Sequence, residues 1–255
     1  MSSTASIAAS PAAVSGGTPL RPEARTDIRP EIRPEIRADI RRVGKFFGSK
    51  LVLRDVSAQV LAGQALLVVG GNGAGKTTLL KIMAGLSRPT AGEIDLRVAP
   101  EDCAYLGHAT FLYPRLSAVA NLTFWGRMYG LSPTRAELEA VLERVGLVRV
   151  ADEPAGTFSR GMAQRLNLAR VFLIQPRLVF LDEPGTGLDP ASQELLRREI
   201  EALKGAGAGV VWVSHHLTAD LPCAESVLFL KDAGVAYFGP ASGFDPASSG
   251  GGLLC

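Results

Sequence analysis

A glycine-rich stretch, GGNGAGKTT at residues 70–78, most constrains what this chain can fold into. It follows the apolar run QALLVVG and precedes KTTLLKIMAGL, whose apolar residues recur at helical spacing. The stretch fits the pattern G-x-x-x-x-G-K-[ST] in the setting that the pattern requires, between a strand and a helix. We therefore predict a phosphate-binding loop, in which backbone N–H groups and the start of a helix surround phosphate oxygens.

The loop pattern predicts a role for each of its main residues. Glycines let the backbone fold around phosphate, Lys76 reaches the β and γ phosphates of a nucleotide, and Thr77 is a ligand of Mg²⁺. The predicted nucleotide-binding residues of the loop are Gly70, Asn72, Gly73, Ala74, Gly75, Lys76, Thr77 and Thr78.

Two adjacent acids end a second apolar run, RLVFLDEP at residues 177–184. Ligands of α/β sheets bind at the carboxyl ends of the strands, which is where Asp182 and Glu183 would lie. We expect Asp182 to hold Mg²⁺, directly or through water. We expect Glu183 to accept a proton from the water that attacks the γ-phosphate.

Short apolar runs separated by amphipathic segments predict an α/β fold. The expected architecture is a P-loop NTPase core with a mostly parallel sheet, an antiparallel β subdomain and an all-helical arm. The arm covers residues 110–170, and Ser132 and Thr134 are its expected helix caps. ASQELLRREIEALKGAG is the expected crossover helix between the strands RLVFLDEP and GVVWVSHH.

The chain divides into three predicted regions: a disordered tail over residues 1–42, a nucleotide-binding domain over 43–240 and a flexible tail over 241–255. The first tail repeats an arginine every fourth residue from Arg21, with prolines that break a helix. We interpret this repeat as a solvated linker. A basic arm on anionic lipid is the alternative, although acids nearly balance the arginines.

Composition excludes several classes of function. The net charge is only +2 and the basic residues are scattered, so we expect no nucleic-acid partner. Three widely spaced cysteines form no CxxC pair, which indicates neither a disulfide framework nor a zinc site. The apolar runs are far shorter than the roughly 18–20 residues of a membrane helix, so any membrane role needs a partner.

A second anion site is predicted where TFSRGMAQR begins an amphipathic helix at Ser159 and Gly161. One nucleotide does not need two such sites in one chain, which suggests that the second faces another subunit. With GTGLDP and VVWVSHHL, this segment resembles the ATP-binding cassette family over about residues 43–240. The family's signature loop is usually Leu-Ser-Gly-Gly-Gln, from which Phe158, Arg160 and Met162 depart.

The resemblance implies ATP as the nucleotide, held with Mg²⁺ between two copies of the cassette. It implies that Phe47 stacks on adenine, with Phe46 as the fallback and a plain core phenylalanine as the other reading. Ser159 and Gly161 would touch the nucleotide of the second copy, and Asp189 would lie in a loop at the dimer interface. His215 would contact the γ-phosphate and act in catalysis with Glu183.

His108 in YLGH stands where the cassette family usually has a glutamine. With LYPRLSAVANLTF and TFSRGM, it makes the chain resemble the ATP-binding subunit of the haem exporter of cytochrome c biogenesis. This implies a membrane permease partner and a place on the cytoplasmic face of the inner membrane. His108 would sense the nucleotide through a metal-bound water or relay motion to the arm; a loop histidine without such a role is the alternative.

Other functions stay open from the sequence alone. The nearest rival is the ATPase subunit of a general drug or lipid exporter. A soluble cassette protein acting on ribosomes or DNA is a rival of another class, but the chain has neither two fused cassettes nor a long coiled coil. A non-hydrolysing scaffold conflicts with the intact Glu183.

Overall fold

The computed structural model describes residues 34–107 and 110–246. The strands within these ranges are β1 Ile36–Phe47, β2 Lys50–Leu61, β3 Ala65–Gly70, β4 Ala91–Leu96, β5 Cys103–Leu106, β6 Leu178–Asp182, β7 Gly209–Val213, β8 Ser226–Lys231 and β9 Gly234–Pro240. The α-helices are α1 Lys76–Met83, α2 Ala118–Met128, α3 Arg135–Arg144, α4 Arg160–Ile174, α5 Pro190–Gly205 and α6 Leu217–Asp220.

A six-stranded sheet in the order β5-β6-β7-β3-β8-β9 forms the centre of the fold. All of its pairings are parallel except that of β8 with β9. Every residue of β3, β6 and β7 is buried, as expected for strands covered on both faces. The carboxyl ends of these strands therefore meet at one edge of the sheet.

The second sheet is antiparallel, in the order β2-β1-β4. Its strand β1 begins at Ile36, so the prediction that the tail extends to residue 42 is wrong at this end. Ala38 and Ile40 are buried, whereas Arg41 on the other face pairs with Glu93. The charged residues between the apolar ones made a half-buried strand look like a solvated linker.

The carboxyl end of the domain also extends beyond its predicted limit at residue 240. Residues 241–243 form a 3₁₀ turn, and the Phe244 ring is buried. Its centroid lies 5.9 Å from that of Phe229 and 5.3 Å from that of Tyr237. This aromatic contact holds the segment on β8 and β9, so the folded domain includes Phe244.

The helical arm comprises α2, α3 and α4. Thr134 caps α3 in a capping box with Glu137, as predicted. Ser132 caps no helix, so that prediction is wrong; α2 is capped instead by Ser117, whose side chain accepts from the Ala120 N–H. Ser159 caps α4 by accepting from the Met162 N–H.

The architecture confirms the predicted fold class: a mostly parallel core sheet, an antiparallel sheet and a helical arm. α5 connects β6 to β7 as the predicted crossover helix. Among residues 34–107 and 110–246, no helix combines the length and the apolar character that crossing a membrane would require. The parts of the predicted tails before residue 34 and after residue 246 lie outside the described residues. His108 lies outside them as well.

Candidate functional site

The predicted phosphate-binding loop joins β3 to α1. Gly75, with φ at +100°, is the N-cap of α1 and makes no side-chain capping bond. A Cβ on Gly75 would lie 2.7 Å from Leu53 Cδ2 and 3.0 Å from the Val52 carbonyl oxygen. Glycine is therefore required here both for the backbone conformation and for the close approach of β2. The uncapped N–H groups at the start of α1 are available to an anion.

Lys76 is folded back into this loop, and only 6% of its surface is exposed. Its Nζ donates hydrogen bonds to the carbonyl oxygens of Gly70 at 2.7 Å and Gly71 at 3.1 Å. Burial lowers the pKa of Lys76, and the negative charges of Glu183 and Asp182 oppose that shift. The ammonium is thus held by neutral carbonyls, and phosphate oxygens would be stronger partners for it.

Asp182 ends β6 and is 1% exposed. Its Oδ1 accepts a hydrogen bond from Thr77 Oγ1 at 3.0 Å, and its Oδ2 accepts one from the Tyr105 hydroxyl at 3.3 Å. Burial, followed by the charge of Asp182, raises the pKa of Tyr105, which keeps its hydroxyl a donor. The hydrogen bond between Thr77 and Asp182 therefore joins α1 to the carboxyl end of β6.

The oxygens of Thr77 and Asp182 fit a magnesium ion. Mg²⁺ prefers hard oxygen ligands, and it is commonly bound by one or two protein groups together with phosphate and water. Within the described part of the chain, no cluster of three or more His, Cys, Asp or Glu could hold a metal alone. A small oxygen site that a nucleotide phosphate completes matches this arrangement.

Glu183 and His215 meet beyond the ends of the neighbouring strands β6 and β7. His215 Nε2 lies 2.5 Å from Glu183 Oε1, and the Glu183 N–H donates to the Val213 carbonyl at 3.0 Å. Glu183 has φ at +54°, a left-handed conformation that is strained for a residue with a side chain. Backbone and imidazole together hold the carboxylate at the edge of the sheet that carries the loop.

A cleft of about 590 Å³ lies over the loop. Phe47, Glu183 and residues 72–78 of the loop line it, together with Lys50, Leu51, Val52, Asp232 and Ala233. The Phe47 ring is 54% exposed, and Lys45 Nζ lies 4.9 Å from its centroid. Phe46 is not among the lining residues, so the geometry favours Phe47 as the aromatic wall.

Ser159, Gly161 and Asp189 do not line this cleft. Ser159 and Asp189 are the N-caps of α4 and α5. Hydrogen bonds from the Ser192 N–H and hydroxyl lower the pKa of Asp189. Space is open around Gly161, where a Cβ would meet nothing within 4 Å. The chain thus brings the loop, Asp182, Glu183, His215 and Phe47 together, and leaves the signature segment apart from them.

Sequence reasoning missed two parts of the site. Tyr105 touches Asp182 from β5, a contact between residues 77 positions apart that no local pattern encodes. Asp232 and Ala233 line the cleft from the β8–β9 turn. The KDAG stretch could have indicated that turn, because it follows a buried strand.

The fold and the site together define a P-loop nucleoside triphosphatase. The family model that matches the chain is that of the ABC transporter, over residues 53–186, more than half of the sequence. The chain therefore belongs to the ABC transporter family, as the sequence predicted, and it is an ATPase of that family that binds ATP.

Curated relatives are bacterial ATP-binding proteins. The cytochrome c biogenesis ATP-binding export protein CcmA of Bradyrhizobium diazoefficiens is 39% identical over 202 residues, which cover 77% of this chain and 98% of that protein. The linearmycin resistance ATP-binding protein LnrL of Bacillus subtilis is 33% identical over 201 residues, 74% of this chain. The match spans only 62% of the length of LnrL.

A solved structure agrees with this assignment. The ATP-binding subunit of an ABC transporter superposes with a TM-score of 0.73 at 28% identity. The match covers 80% of this chain and 89% of that one. The fold of the described residues is therefore that of an ABC ATP-binding subunit.

Two substitutions separate the packing role of Gly75 from the strain common to left-handed residues. Gly75→Ala should lower the free energy of unfolding by about 2–5 kcal/mol, because strain adds to overlap with β2. Gly73→Ala is the control, since Gly73 has φ at +78° but a Cβ there would meet nothing within 4 Å. It should cost only about 1 kcal/mol. Urea unfolding without nucleotide measures both, and equal costs would contradict the packing role.

Proposed function

We propose that this chain hydrolyses MgATP at the cleft above the loop. The observation that carries the proposal is the convergence of Lys76, the Thr77–Asp182 pair and the Glu183–His215 pair at one edge of the parallel sheet. Phosphate oxygens would replace the carbonyls that now hold Lys76, and the N–H groups of α1 would bind the same anion. Phe47 would stack on the adenine ring.

Each polar group has a separate task in this mechanism. Glu183 accepts a proton from the water that attacks the γ-phosphate, and His215 orients the Glu183 carboxylate and reaches the γ-phosphate. Thr77 and Asp182 hold Mg²⁺. When bound, Mg²⁺ neutralises the negative charge that develops on the phosphate oxygens. Burial of Lys76 and Asp182 keeps water away from these charges, which strengthens their interactions.

We further propose that two copies of the chain bind ATP between them. Ser159, Gly161 and Asp189 are N-terminal residues of α4 and α5, yet they lie outside the chain's own cleft. Helix N-termini favour anions, and a second copy would bring these residues to the nucleotide held by Lys76. The site would then be complete only in the dimer.

A membrane permease is the proposed partner of the helical arm. Phe111, Tyr113 and Met128 expose apolar surface at the start of the arm and along α2. Exposed apolar side chains are typical of a protein-binding surface where they lie together. In the sequence, Phe111 lies three residues after His108, the proposed nucleotide-sensing residue. Binding of this kind would place the chain on the cytoplasmic face of the inner membrane.

Export in cytochrome c maturation, with haem as the cargo class, is the proposed function of the assembled complex. Its support is the similarity to CcmA proteins, together with the YLGH stretch of this chain that carries the resemblance. The alternative is a drug or lipid exporter, which the similarity to LnrL favours. A soluble cassette protein without a transport role is the alternative of another class.

Glu183→Gln tests the proposed mechanism. The amide cannot accept the proton, so ATP turnover should fall by about 10²–10⁴-fold while MgATP binding stays unchanged. Glu143→Gln, at an exposed position on α3, is the matched control and should leave turnover intact. Steady-state phosphate release and equilibrium nucleotide binding measure the two effects. Wild-type turnover in Glu183→Gln would refute Glu183 as the proton acceptor.

The membrane subunit that co-purifies with the chain distinguishes the proposed transport roles. The protein should be purified from membranes of its own host in mild detergent, and its partners identified by mass spectrometry. A permease encoded among cytochrome c assembly genes is the expected result. A permease encoded alone would favour the drug or lipid exporter, and recovery with ribosomes and no membrane protein would contradict a transport role.

A further inference from the structure

Tyr105 lies on the face of the core sheet that carries Asp182. In the parallel pairing of β5 with β6, Tyr105 is opposite Phe180, two residues before Asp182. Residues two apart on a strand share a face, so the Tyr105 ring and the Asp182 carboxylate lie on the same side of the sheet. The ring is long enough for its hydroxyl to reach Asp182 Oδ2 at 3.3 Å.

The two oxygens of Asp182 are thereby contacted by different elements. Thr77 on α1 donates to Oδ1, and Tyr105 on β5 donates to Oδ2. One hydrogen bond fixes the position of a carboxylate, but a second bond on the other oxygen also restrains rotation about its last torsion, which is otherwise broad. Hydrogen bonds to a charged acceptor are among the stronger ones in proteins.

The Tyr105 ring has its own supports. A Cβ at Gly107 would lie 2.7 Å from Tyr105 Cε1 and 3.0 Å from its hydroxyl, so the ring occupies space that only glycine leaves open. On the backbone side, Arg170 Nη2 donates to the Tyr105 carbonyl at 2.8 Å. Because β5 is at the edge of the sheet, that carbonyl has no second strand to accept from.

Arg170 is itself held firmly. It lies on α4, is 4% exposed, and its guanidinium is 4.7 Å from the centroid of the Trp125 ring on α2. A buried guanidinium stacked on an aromatic ring has little freedom. Two helices of the arm therefore fix the backbone of β5 at the residue whose side chain contacts Asp182.

We propose that Tyr105 is a positioning residue that orients the Asp182 carboxylate for Mg²⁺, supported by Gly107 and by Arg170 from the helical arm. The proposal rests on the function proposed above, in which Asp182 holds the metal. Tyr105 does not line the cleft described above. Its effect passes through Asp182 alone, so it should appear in the dependence on Mg²⁺ and not in the binding of free ATP.

Tyr105→Phe removes the hydroxyl and keeps the ring. Binding of a ribose-labelled fluorescent ATP analogue is measured by equilibrium titration, first without Mg²⁺ and then with increasing Mg²⁺. The Mg²⁺ concentration that gives half of the full change in nucleotide binding should rise about tenfold. This is the size expected for loss of a hydrogen bond to a charged group. Binding without Mg²⁺ should not change. At low Mg²⁺, kcat of the variant should be below that of the wild type, and high Mg²⁺ should restore it. KM for ATP should not change.

Tyr237→Phe is the matched control. It also loses one hydroxyl hydrogen bond, to the Pro240 carbonyl at 2.6 Å, but on β9 and outside the cleft. Its Mg²⁺ dependence should equal that of the wild type. The proposal is overturned if Tyr105→Phe has the wild-type Mg²⁺ dependence, or if it weakens binding equally with and without Mg²⁺, since the latter would indicate general damage to the loop.

Asp182→Asn separates the proposed role of Asp182 in binding Mg²⁺ from the positioning role of Tyr105. If this variant keeps the wild-type response to Mg²⁺, the proposed role of Asp182 fails, and the positioning role of Tyr105 fails with it. If Asp182→Asn loses the response while Tyr105→Phe keeps it, the proposed function stands and only the positioning role is wrong. Loss of the response in Asp182→Asn with a shifted response in Tyr105→Phe supports both.

Discussion

Asp182 in β6 pairs with Val213 in β7, and the N–H of Glu183 donates to the Val213 carbonyl at 3.0 Å. This parallel register sets the site, because it puts the residues after both strands side by side. His215, two positions beyond Val213, then reaches Glu183. β3 pairs with the other side of β7, which brings the phosphate-binding loop to the same edge. A shift in this register would separate the proposed base from its histidine.

Local patterns predicted the parts of the site that are local in sequence. The loop needs glycines at fixed spacing between a strand and a helix, so Gly75 and Lys76 could be placed from the sequence alone. Apolar runs of the core strands predicted β3, β6 and β7. Contacts between distant segments could not be predicted in this way. Tyr105 was missed for that reason, the contact of His215 with Glu183 was not predicted, and a catalytic role for His215 was expected only from the family resemblance.

Charge patterns misled at the start of the domain. Ile36–Phe47 is one strand, but Arg37 and Arg41 interrupt its apolar residues and continue the periodicity of the preceding repeat. In the structure Arg37 is buried and donates to the Gly207 carbonyl, while Arg41 pairs with Glu93 of the neighbouring strand β4. Such partners lie far away in sequence. A strand whose arginines find their partners in tertiary contacts therefore resembles a solvated linker until its neighbours are known.

On nucleotide binding, the ammonium of Lys76 should exchange its two loop carbonyls for nucleotide phosphate. ATP affinity of Lys76→Met, measured by calorimetry beside Lys81→Met, tests it most directly, since Lys81 is an exposed lysine of the same helix. Loss of a charge-assisted bond should weaken ATP binding by about 10–100-fold in Lys76→Met and leave Lys81→Met like the wild type. Equal affinity of both variants and the wild type would contradict the account.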